Sequence, residues 1–248
     1  MNVTVTALWR HPIKAHGREA LQRVALEVGK CMPWDRHWAV THEATKADGS
    51  EWAKCINFSR GASSPRLMAM TATLDDTAGF VTLSHPDLPN LTLNPDTDGQ
   101  AFADWVKPIM PADRRQSTGI LKVPGIGLTD SSWPSLSLLN LQTNKALGAT
   151  FDAELSMDRW RGNIHLDGLE PWQEFEWVGK AIRIGTAEFE VRERIERCTA
   201  TTVDPLTGER DYDTLKSLRE NFGHKDFGVK IYVSKAGEIA VGDTVEVL

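Results

Sequence analysis

The apolar residues of this chain occur in short runs that Gly, Pro, Asn and Asp interrupt. Residues 3–8 alternate with a period of two, which predicts an opening strand that ends at the His11-Pro12 pair. Further short runs follow at close spacing, at residues 67–74, 80–83 and 91–93. Closely spaced short strands are typical of a sheet or barrel, so we expect a mainly β protein with a few short helices.

One amphipathic helix is predicted near the middle of the chain. Apolar residues recur at helical spacing from Ala101 to Ile109 behind Asp98, a residue type that caps helices, and this predicts a helix over residues 99–109. The stretch 111–135 is rich in Pro, Gly and Ser, as expected of a domain boundary or a functional loop. We therefore place two domains, over residues 1–108 and 109–248.

The C-terminal third has the clearest strand pattern. Its apolar residues Ile182, Ile184, Phe189 and Val191 alternate with charged residues, as in a half-solvated strand pair. If the second strand continues without a bulge, Cys198 stands on its polar face and not in the core. The sequence also predicts a turn at residues 204–208, a helix between Asp213 and Gly223, and final strands at residues 229–233 and 239–247.

Charge and composition exclude several classes of protein. The chain has 28 Lys and Arg against 34 Asp and Glu, a formal net charge of −6, which disfavours binding to nucleic acid. With 41% hydrophobic and 25% charged residues it lies close to the average of globular proteins. It has no run of 18 apolar residues and no signal-peptide pattern at its start, so we expect a cytoplasmic protein without membrane contact.

The three cysteines, Cys31, Cys55 and Cys198, are far apart and form no CxxC pair. This favours reduced thiols over a disulfide framework of the secreted type. The first two could be drawn as a zinc site together with His37 and His42. Structural zinc ligands normally come in paired short spacings, which these four residues lack.

Cys198 is the cysteine whose neighbours suggest chemistry. Arg197 precedes it, and an adjacent cation favours the thiolate that nucleophilic or metal-binding work needs. His165 or His224 could pair with it in a nucleophilic site, because such partners meet in space and not in sequence. The alternative, from the residues alone, is an inert and partly buried thiol.

Several motifs, in a fixed order, resemble those of one family. They are Arg161-Gly-Asn163, the segment PWQEFEW at residues 171–177, Ile184-Gly185, and the segment RCTATTVDPLTG at residues 197–208. Together they resemble the MOSC domain. Near the start, His11-Pro-Ile-Lys14 resembles the opening of the β-barrel domain that precedes it. This layout, an N-terminal β-barrel-like domain followed by a MOSC β-barrel domain, is similar to that of the mitochondrial amidoxime-reducing component and its bacterial relatives.

The resemblance implies a molybdenum cofactor (Mo-molybdopterin), a pterin whose metal takes one cysteine as a ligand. Cys198 matches that cysteine and is the implied catalytic and metal-binding residue, and a soft thiolate suits a metal already bound by sulfur. Arg offers phosphate oxygens a fork of donors and Lys a point charge, although each such cation taken singly would be an ordinary solvated charge. The implied cofactor-binding residues are Lys14, Arg36, Asp130, Ser131, Arg161, Asn163, Glu196 and Arg197.

This sequence departs from the family pattern near the implied site. Ala15 follows Lys14 where relatives often have Ser, so one hydroxyl contact is missing. His11 stands where Tyr is common. Glu196 replaces a small polar residue and would bring negative charge near an anionic cofactor.

The activity that the resemblance implies is a molybdenum-dependent reductase that removes oxygen from N-hydroxylated compounds, such as amidoximes, hydroxylamines and N-hydroxylated bases. Its partners would be the small substrate and a separate electron-donor protein, since the sequence has no flavin, haem or iron–sulfur motif of its own.

Two other functions stay open. MOSC domains also end the molybdenum cofactor sulfurases, so the protein could carry the cofactor or sulfur during maturation without turning over a substrate. Pyridoxal phosphate binding is a family-level property of those fused proteins and is not expected here. The remaining possibility is a binding module without metal, with Cys198 as a plain thiol.

Overall fold

The computed structural model describes residues 2–248, and over this range it has sixteen strands and three α-helices. The expected mainly β fold with a few short helices is therefore confirmed. The strands are β1 (Thr4–Arg10), β2 (Ile13–Lys14), β3 (Glu19–Leu21), β4 (Arg23–Leu26), β5 (Trp38–His42), β6 (Thr71–Asp75), β7 (Phe80–His85), β8 (Leu88–Leu93), β9 (Ser117–Lys122), β10 (Leu136–Asn140), β11 (Ile164–Asp167), β12 (Ala181–Ile184), β13 (Ala187–Glu196), β14 (Asp226–Lys235), β15 (Gly237–Ala240) and β16 (Val245–Val247). The helices are α1 (Gly99–Val106), α2 (Leu141–Ala149) and α3 (Thr214–Phe222).

The largest sheet in residues 2–248 has eight strands in the order β16-β12-β13-β14-β10-β11-β1-β3. Neighbouring strands are antiparallel except for β10 and β11. The first and seventh strands of this order also meet, because Val245 N donates to Val3 O and Val5 N donates to Asp243 O, both at 2.9 Å. The sheet therefore curls until β16 lies beside the start of β1, as in a barrel.

Inward-facing apolar side chains fill this curled sheet. On β13 the alternate residues Ala187, Phe189 and Val191 are buried, which is the period-two pattern that the sequence predicts. The register of β13 against β14 then shifts between Val191 and Glu193 and again before Glu196, where the strand ends. Such bulges re-aim side chains, so the strict alternation does not continue to Cys198.

A second group of strands packs around α1. β5 pairs with β2 and β9, while β6, β7 and β8 form an antiparallel sheet. Trp38, Leu83 and Phe102 are fully buried where these elements meet. β9 lies within the stretch expected to be a boundary or loop, and β1 and β3 belong to the large sheet. The boundary at residue 108 stays a prediction, and strands from each side of it pair with strands from the other.

Two helix predictions meet different outcomes. The helix predicted over residues 99–109 forms as α1 followed by a 3-10 turn, Lys107–Ile109, but the Asp98 carboxylate accepts from Asn94 N at 2.8 Å instead of capping the helix. The helix after Asp213 is confirmed, with the Asp213 carboxylate accepting from Lys216 N at 2.9 Å and Gly223 in the left-handed conformation.

The single strand predicted over residues 239–247 is wrong. β15 pairs with β4 and β16 pairs with β12, and the chain turns between them at Gly242, whose φ of +95° other residues rarely adopt. Helix α2 was missed, because LQTNKALGA has few apolar residues to give a periodic pattern. No helix in residues 2–248 has the length and apolar character needed to cross a membrane.

The buried histidines predict that acid lowers the stability of the fold. Burial, reinforced by nearby arginines, lowers the pKa of His16 and His165 to about 4 and holds the pKa of His11 well below its ordinary value of 6.5. The unfolded chain therefore takes up protons at these positions near pH 6.5, whereas the folded chain takes them up only at much lower pH. Stability is complete above pH 6.5 and falls as the pH drops from 6.5 toward 4.

Each histidine changes the free energy of unfolding by about 1.4 kcal/mol per pH unit in this window, so three give up to about 4 kcal/mol per unit. Urea unfolding at pH 7, 6 and 5 measures this slope, and His165→Gln should reduce it by about a third. A free energy of unfolding that stays constant from pH 7 to 5 would contradict the prediction.

Candidate functional site

A cavity of about 520 Å³ is lined by residues from both halves of the chain. Its size is within the range of cofactor and small-molecule sites. Eight of the nine residues that the family resemblance implies line this cavity: Lys14, Arg36, Asp130, Arg161, Asn163, Glu196, Arg197 and Cys198.

Arg36 and Arg161 face the cavity from left-handed backbone positions, with φ of +53° and +50°. Such conformations are uncommon for residues other than glycine and cluster at functional sites. Arg36 Nη2 donates to Arg161 O at 2.8 Å, and Arg161 Nη2 donates to Gly17 O at 3.0 Å. Arg161 Nη1 is buried and has no hydrogen-bond partner in residues 2–248. The cavity wall thus holds an unsatisfied cationic donor.

The cavity concentrates positive charge in a protein whose net charge is −6. Burial, together with the neighbouring guanidinium groups of Arg36 and Arg18, lowers the pKa of Arg161 to about 9, which leaves it charged at neutral pH. Like charges held this close favour binding of an anion. The lining has eight cationic and three acidic side chains, the cationic ones being Lys14, Arg36, Arg60, Arg159, Arg161, Arg194, Arg197 and Lys230.

Asp35 holds Arg36 in place from inside the protein. Its buried carboxylate accepts from His11 N at 2.7 Å through Oδ1 and binds Arg36 Nη1 through Oδ2. Burial opposes ionisation of this carboxyl, but the Arg36 guanidinium and the His11 contact outweigh it and hold the pKa of Asp35 well below its usual range. His11 therefore supports the cavity from behind, through its backbone N–H and through its ring Nδ1, which lies 3.3 Å from Asp35 Oδ1.

Lys14 and Asp130 form an ion pair at the cavity wall. Lys14 Nζ donates to Leu128 O at 2.8 Å and to Asp130 Oδ1 at 2.5 Å. Desolvation at the cavity wall opposes ionisation of Asp130, but the Lys14 ammonium outweighs it and lowers the pKa of Asp130 to about 2. A bound anion would compete with Asp130 for the Lys14 ammonium.

Ser131 is the implied site residue that the structure does not bring to the cavity. It is buried behind the wall, and its Oγ has no hydrogen-bond partner in the described chain. Thr129 and Ser135 line the cavity in its place, and the Ser135 hydroxyl donates to Thr129 Oγ1 at 3.2 Å. The difference arises because the loop turns Asp130 outward and Ser131 inward.

Cys198 carries an exposed thiol at the end of β13, just before the 3-10 turn Thr199–Thr202. Arg197 Nε and Nη2 donate to Phe227 O at 2.9 and 2.6 Å, and its Nη1 donates to Trp160 O at 2.9 Å. Burial lowers the pKa of Arg197 to about 10. Because its donors bind backbone carbonyls, Arg197 fixes the segment that presents Cys198.

Asn163 and Glu196 also line the cavity but bind mainly protein groups. Asn163 Oδ1 accepts from the backbone N and the hydroxyl of Ser137, at 3.0 and 2.9 Å, and its Nδ2 donates to Trp9 O at 3.1 Å. It therefore ties β1 and β10 to the start of β11. Glu196 is exposed and pairs with Lys225, whose hydrogen bond lowers the pKa of Glu196. That ammonium offsets the negative charge that the sequence places near the cavity.

The alternative pairings of Cys198 do not form. His165 is buried in β11, and His224 packs edge-on against Trp172 at 5.0 Å between ring centroids. Among the residues that the structure describes, neither imidazole makes a hydrogen bond to Cys198 Sγ.

The zinc site drawn from four residues does not form either. Across residues 2–248, no three His, Cys, Asp or Glu side chains group as ligands of one metal ion. His42 Nε2 instead donates to Ile56 O at 3.0 Å, and burial raises the pKa of the Cys31 thiol to about 11.

Four cations of the cavity, Arg60, Arg159, Arg194 and Lys230, are not among the residues that the sequence motifs imply. Arg194 stacks over the Phe175 ring at 4.3 Å, and Lys230 pairs with Glu193 at 2.8 Å. Arg60 comes from the N-terminal half of the chain. Strand alternation places Arg194 and Lys230 on a polar face, but it does not show that this face borders a cavity.

The mainly β fold places an exposed cysteine and a cluster of cations on one cavity, an arrangement whose charge suits an anionic ligand. Residues 2–107 match the family model of the MOSC N-terminal beta barrel domain, and residues 135–246 match that of the MOSC domain. The chain belongs to the MOSC domain proteins that carry this N-terminal domain, as the sequence motifs indicate.

The relatives include proteins of two kinds. The chain is 26% identical to mitochondrial amidoxime-reducing component 1 of Danio rerio, over 97% of this chain and 83% of that protein. It is 33% identical to mitochondrial amidoxime reducing component 2 of Macaca fascicularis, over 46% of this chain and 38% of that protein. It is 35% identical to the molybdenum cofactor sulfurase of Anopheles gambiae, over 36% of this chain, and the match spans only 12% of that sulfurase.

Proposed function

We propose that this protein is a molybdenum-cofactor-dependent reductase of N-hydroxylated compounds, such as amidoximes, hydroxylamines and N-hydroxylated bases. The observation that carries the proposal is the convergence of Arg36, Arg161 and the exposed Cys198 on one cavity. Similarity to an amidoxime-reducing component over 97% of the chain supports a reductase.

The residues present fit such a cofactor. The terminal phosphate of a pterin cofactor is an anion, and a phosphate oxygen would satisfy the buried Arg161 Nη1, which otherwise has no partner in residues 2–248. Lys14 and Arg36 would add an ammonium and a second guanidinium to the same group. Cys198 would supply one sulfur to the metal, since it is exposed and lines the cavity.

The net reaction breaks the N–O bond of the substrate. The substrate takes up two electrons from a separate donor protein and two protons, and it leaves as the reduced amidine, amine or base together with water. When bound, the cofactor supplies two-electron chemistry that none of these side chains can perform. The chain itself binds and orients: Lys14, Arg36 and Arg161 hold the phosphate, and Arg197 fixes the segment that carries Cys198.

Conversion of a simple aromatic amidoxime tests this function directly. Protein purified from a host that makes the molybdenum cofactor should form the amidine when a chemical reductant is supplied, because the reductant replaces the donor protein. The same protein from a host unable to make the cofactor is the matched control and should form none. Absence of the amidine, amine or base product with molybdenum-loaded protein, over a panel of amidoximes, hydroxylamines and N-hydroxylated bases, would refute the reductase.

A second candidate is a carrier of the cofactor or its sulfur, which the 35% identity to a molybdenum cofactor sulfurase favours. A carrier would hold the same group at the same residues without reducing a substrate. Transfer of molybdenum from this protein to a cofactor-free acceptor enzyme, in the absence of any N-reduction, would support the carrier over the reductase.

A further inference from the structure

Arg60 is one of four cations of the cavity that the proposed cofactor contacts do not use. Arg60 Nη1 points to Cys55 Sγ at 3.4 Å, and in the described chain the Arg60 guanidinium has no carboxylate partner. A thiol sulfur is a weak acceptor, so most of the donors of Arg60 stay available.

The other cations of the lining outside the phosphate contacts are engaged. Arg159 forms two hydrogen bonds to the Asp211 carboxylate, at 3.0 and 2.7 Å, and Lys230 pairs with Glu193 at 2.8 Å. Arg194 stacks over the Phe175 ring without a hydrogen bond in residues 2–248, and Arg197 binds backbone carbonyls. Arg60 differs from these cations because its loop packs on the turn that follows Cys198.

The loop of Arg60 is fixed against the turn that follows Cys198. A Cβ on Gly61 would lie 3.7 Å from Ala200 Cβ and only 2.6 Å from Met68 Sδ, which shows how closely the backbone packs there. Arg210 bridges the two segments, donating to Ala62 O at 2.9 Å and to Thr199 O at 2.7 Å. Arg60 is therefore anchored beside the proposed metal ligand, and it shares no hydrogen bond with Lys14, Arg36 or Arg161 in residues 2–248.

We propose that Arg60 binds an anionic group of the substrate, a carboxylate or a phosphate, so that the protein prefers N-hydroxylated compounds that carry negative charge. This inference rests on the proposed reductase function. A guanidinium binds either group through two parallel hydrogen bonds, which also orients the molecule. The surplus of cations in the cavity attracts such substrates to a protein whose overall charge would repel them.

The test compares matched pairs of substrates in Arg60→Gln, with the exposed Arg114→Gln as the control. One pair is an aromatic amidoxime with and without a para-carboxylate, and the other is N-hydroxycytidine with and without its 5′-phosphate. In the native protein the charged member should have the higher kcat/KM. Arg60→Gln should cut this preference by about tenfold to a hundredfold, mainly through KM, because a charged hydrogen-bonded contact is lost. Arg60→Lys should restore part of it, and Arg114→Gln should leave it unchanged.

Calorimetric binding of the same compounds to the molybdenum-loaded protein without reductant gives a second readout that needs no turnover. A fall in affinity confined to the charged members would support the proposal. A fall for the amidoxime pair would indicate a carboxylate, and a fall for the N-hydroxycytidine pair would indicate a phosphate. An equal fall for charged and neutral members, or none for either, would overturn it. If no substrate is reduced but Arg60→Gln still weakens binding of the charged members, the reductase fails and the anion site stands.

Discussion

Cys198→Ser is expected to abolish reduction of an aromatic amidoxime while the protein stays folded. A serine hydroxyl is a hard and weakly acidic donor, so it replaces a thiolate poorly on a metal already bound by sulfur. The side chain is exposed, so the free energy of unfolding should change by less than about 0.5 kcal/mol. Turnover with a chemical reductant and thermal unfolding, measured on the same preparation, check both parts.

Cys31→Ser is the matched control for this variant. Cys31 does not line the cavity, so its substitution should leave amidoxime turnover in place. Unchanged turnover in Cys198→Ser would refute the assignment of Cys198 as the metal ligand. If Cys198→Ser loses both turnover and the folded state, Cys198→Ala is the second variant to test. It introduces no hydroxyl, and it should stay folded and still lose turnover.

Arg161→Gln is expected to lower the molybdenum content by about tenfold or more without lowering the melting temperature. The guanidinium offers charged hydrogen bonds to phosphate, each contributing about 1.5–3 kcal/mol. Loss of the Arg161 bond to Gly17 O costs about 1 kcal/mol, but removing a cation close to Arg36 and Arg18 relieves repulsion. Arg161→Gln should therefore lower the affinity for the cofactor more than it lowers the free energy of unfolding.

Elemental analysis and thermal unfolding of Arg161→Gln and of Arg114→Gln separate the two effects. The control changes an exposed arginine that does not line the cavity, and it should keep both the molybdenum content and the melting temperature. A full complement of molybdenum in Arg161→Gln would contradict the phosphate contact. A lower melting temperature in Arg161→Gln than in the native protein, with both prepared free of cofactor, would show a structural role instead.

Most of the residues that ordered motifs implied are brought together by the fold, and their roles stay predictions. Lys14, Arg36, Arg161 and Cys198 lie far apart in the chain, yet all line one cavity. The motifs gave residue identity but not orientation. Ser131 faces inward, and the Arg197 donors bind backbone carbonyls, because loop geometry and local hydrogen bonds decide where each side chain turns.

The sequence did not predict which buried residues hold the cavity side chains in place. Asp35 and His11 are ordinary polar residues in the sequence, and only the fold shows that they are buried behind Arg36. Arg60 has no motif around it, and its place beside Cys198 depends on contacts between segments more than 130 positions apart, such as that of Arg210 with Ala62.

The fold was predictable where period-two alternation was strong and failed where a turn or a weak pattern intervened. The β12–β13 hairpin follows directly from its alternating residues. β9 was hidden in a stretch rich in Pro and Gly, and the break at Gly242 divided one expected strand into two with different partners. Local pattern predicts a strand, but pairing across the chain decides where it ends.

The molybdenum-to-protein ratio, measured by elemental mass spectrometry on protein from a host that makes the cofactor, tests the central claim most directly. The claim is that the cationic cavity and Cys198 hold a molybdenum cofactor. A ratio approaching one is the expected result. A ratio near zero, in a sample whose circular dichroism and cooperative unfolding show that it is folded, would contradict it.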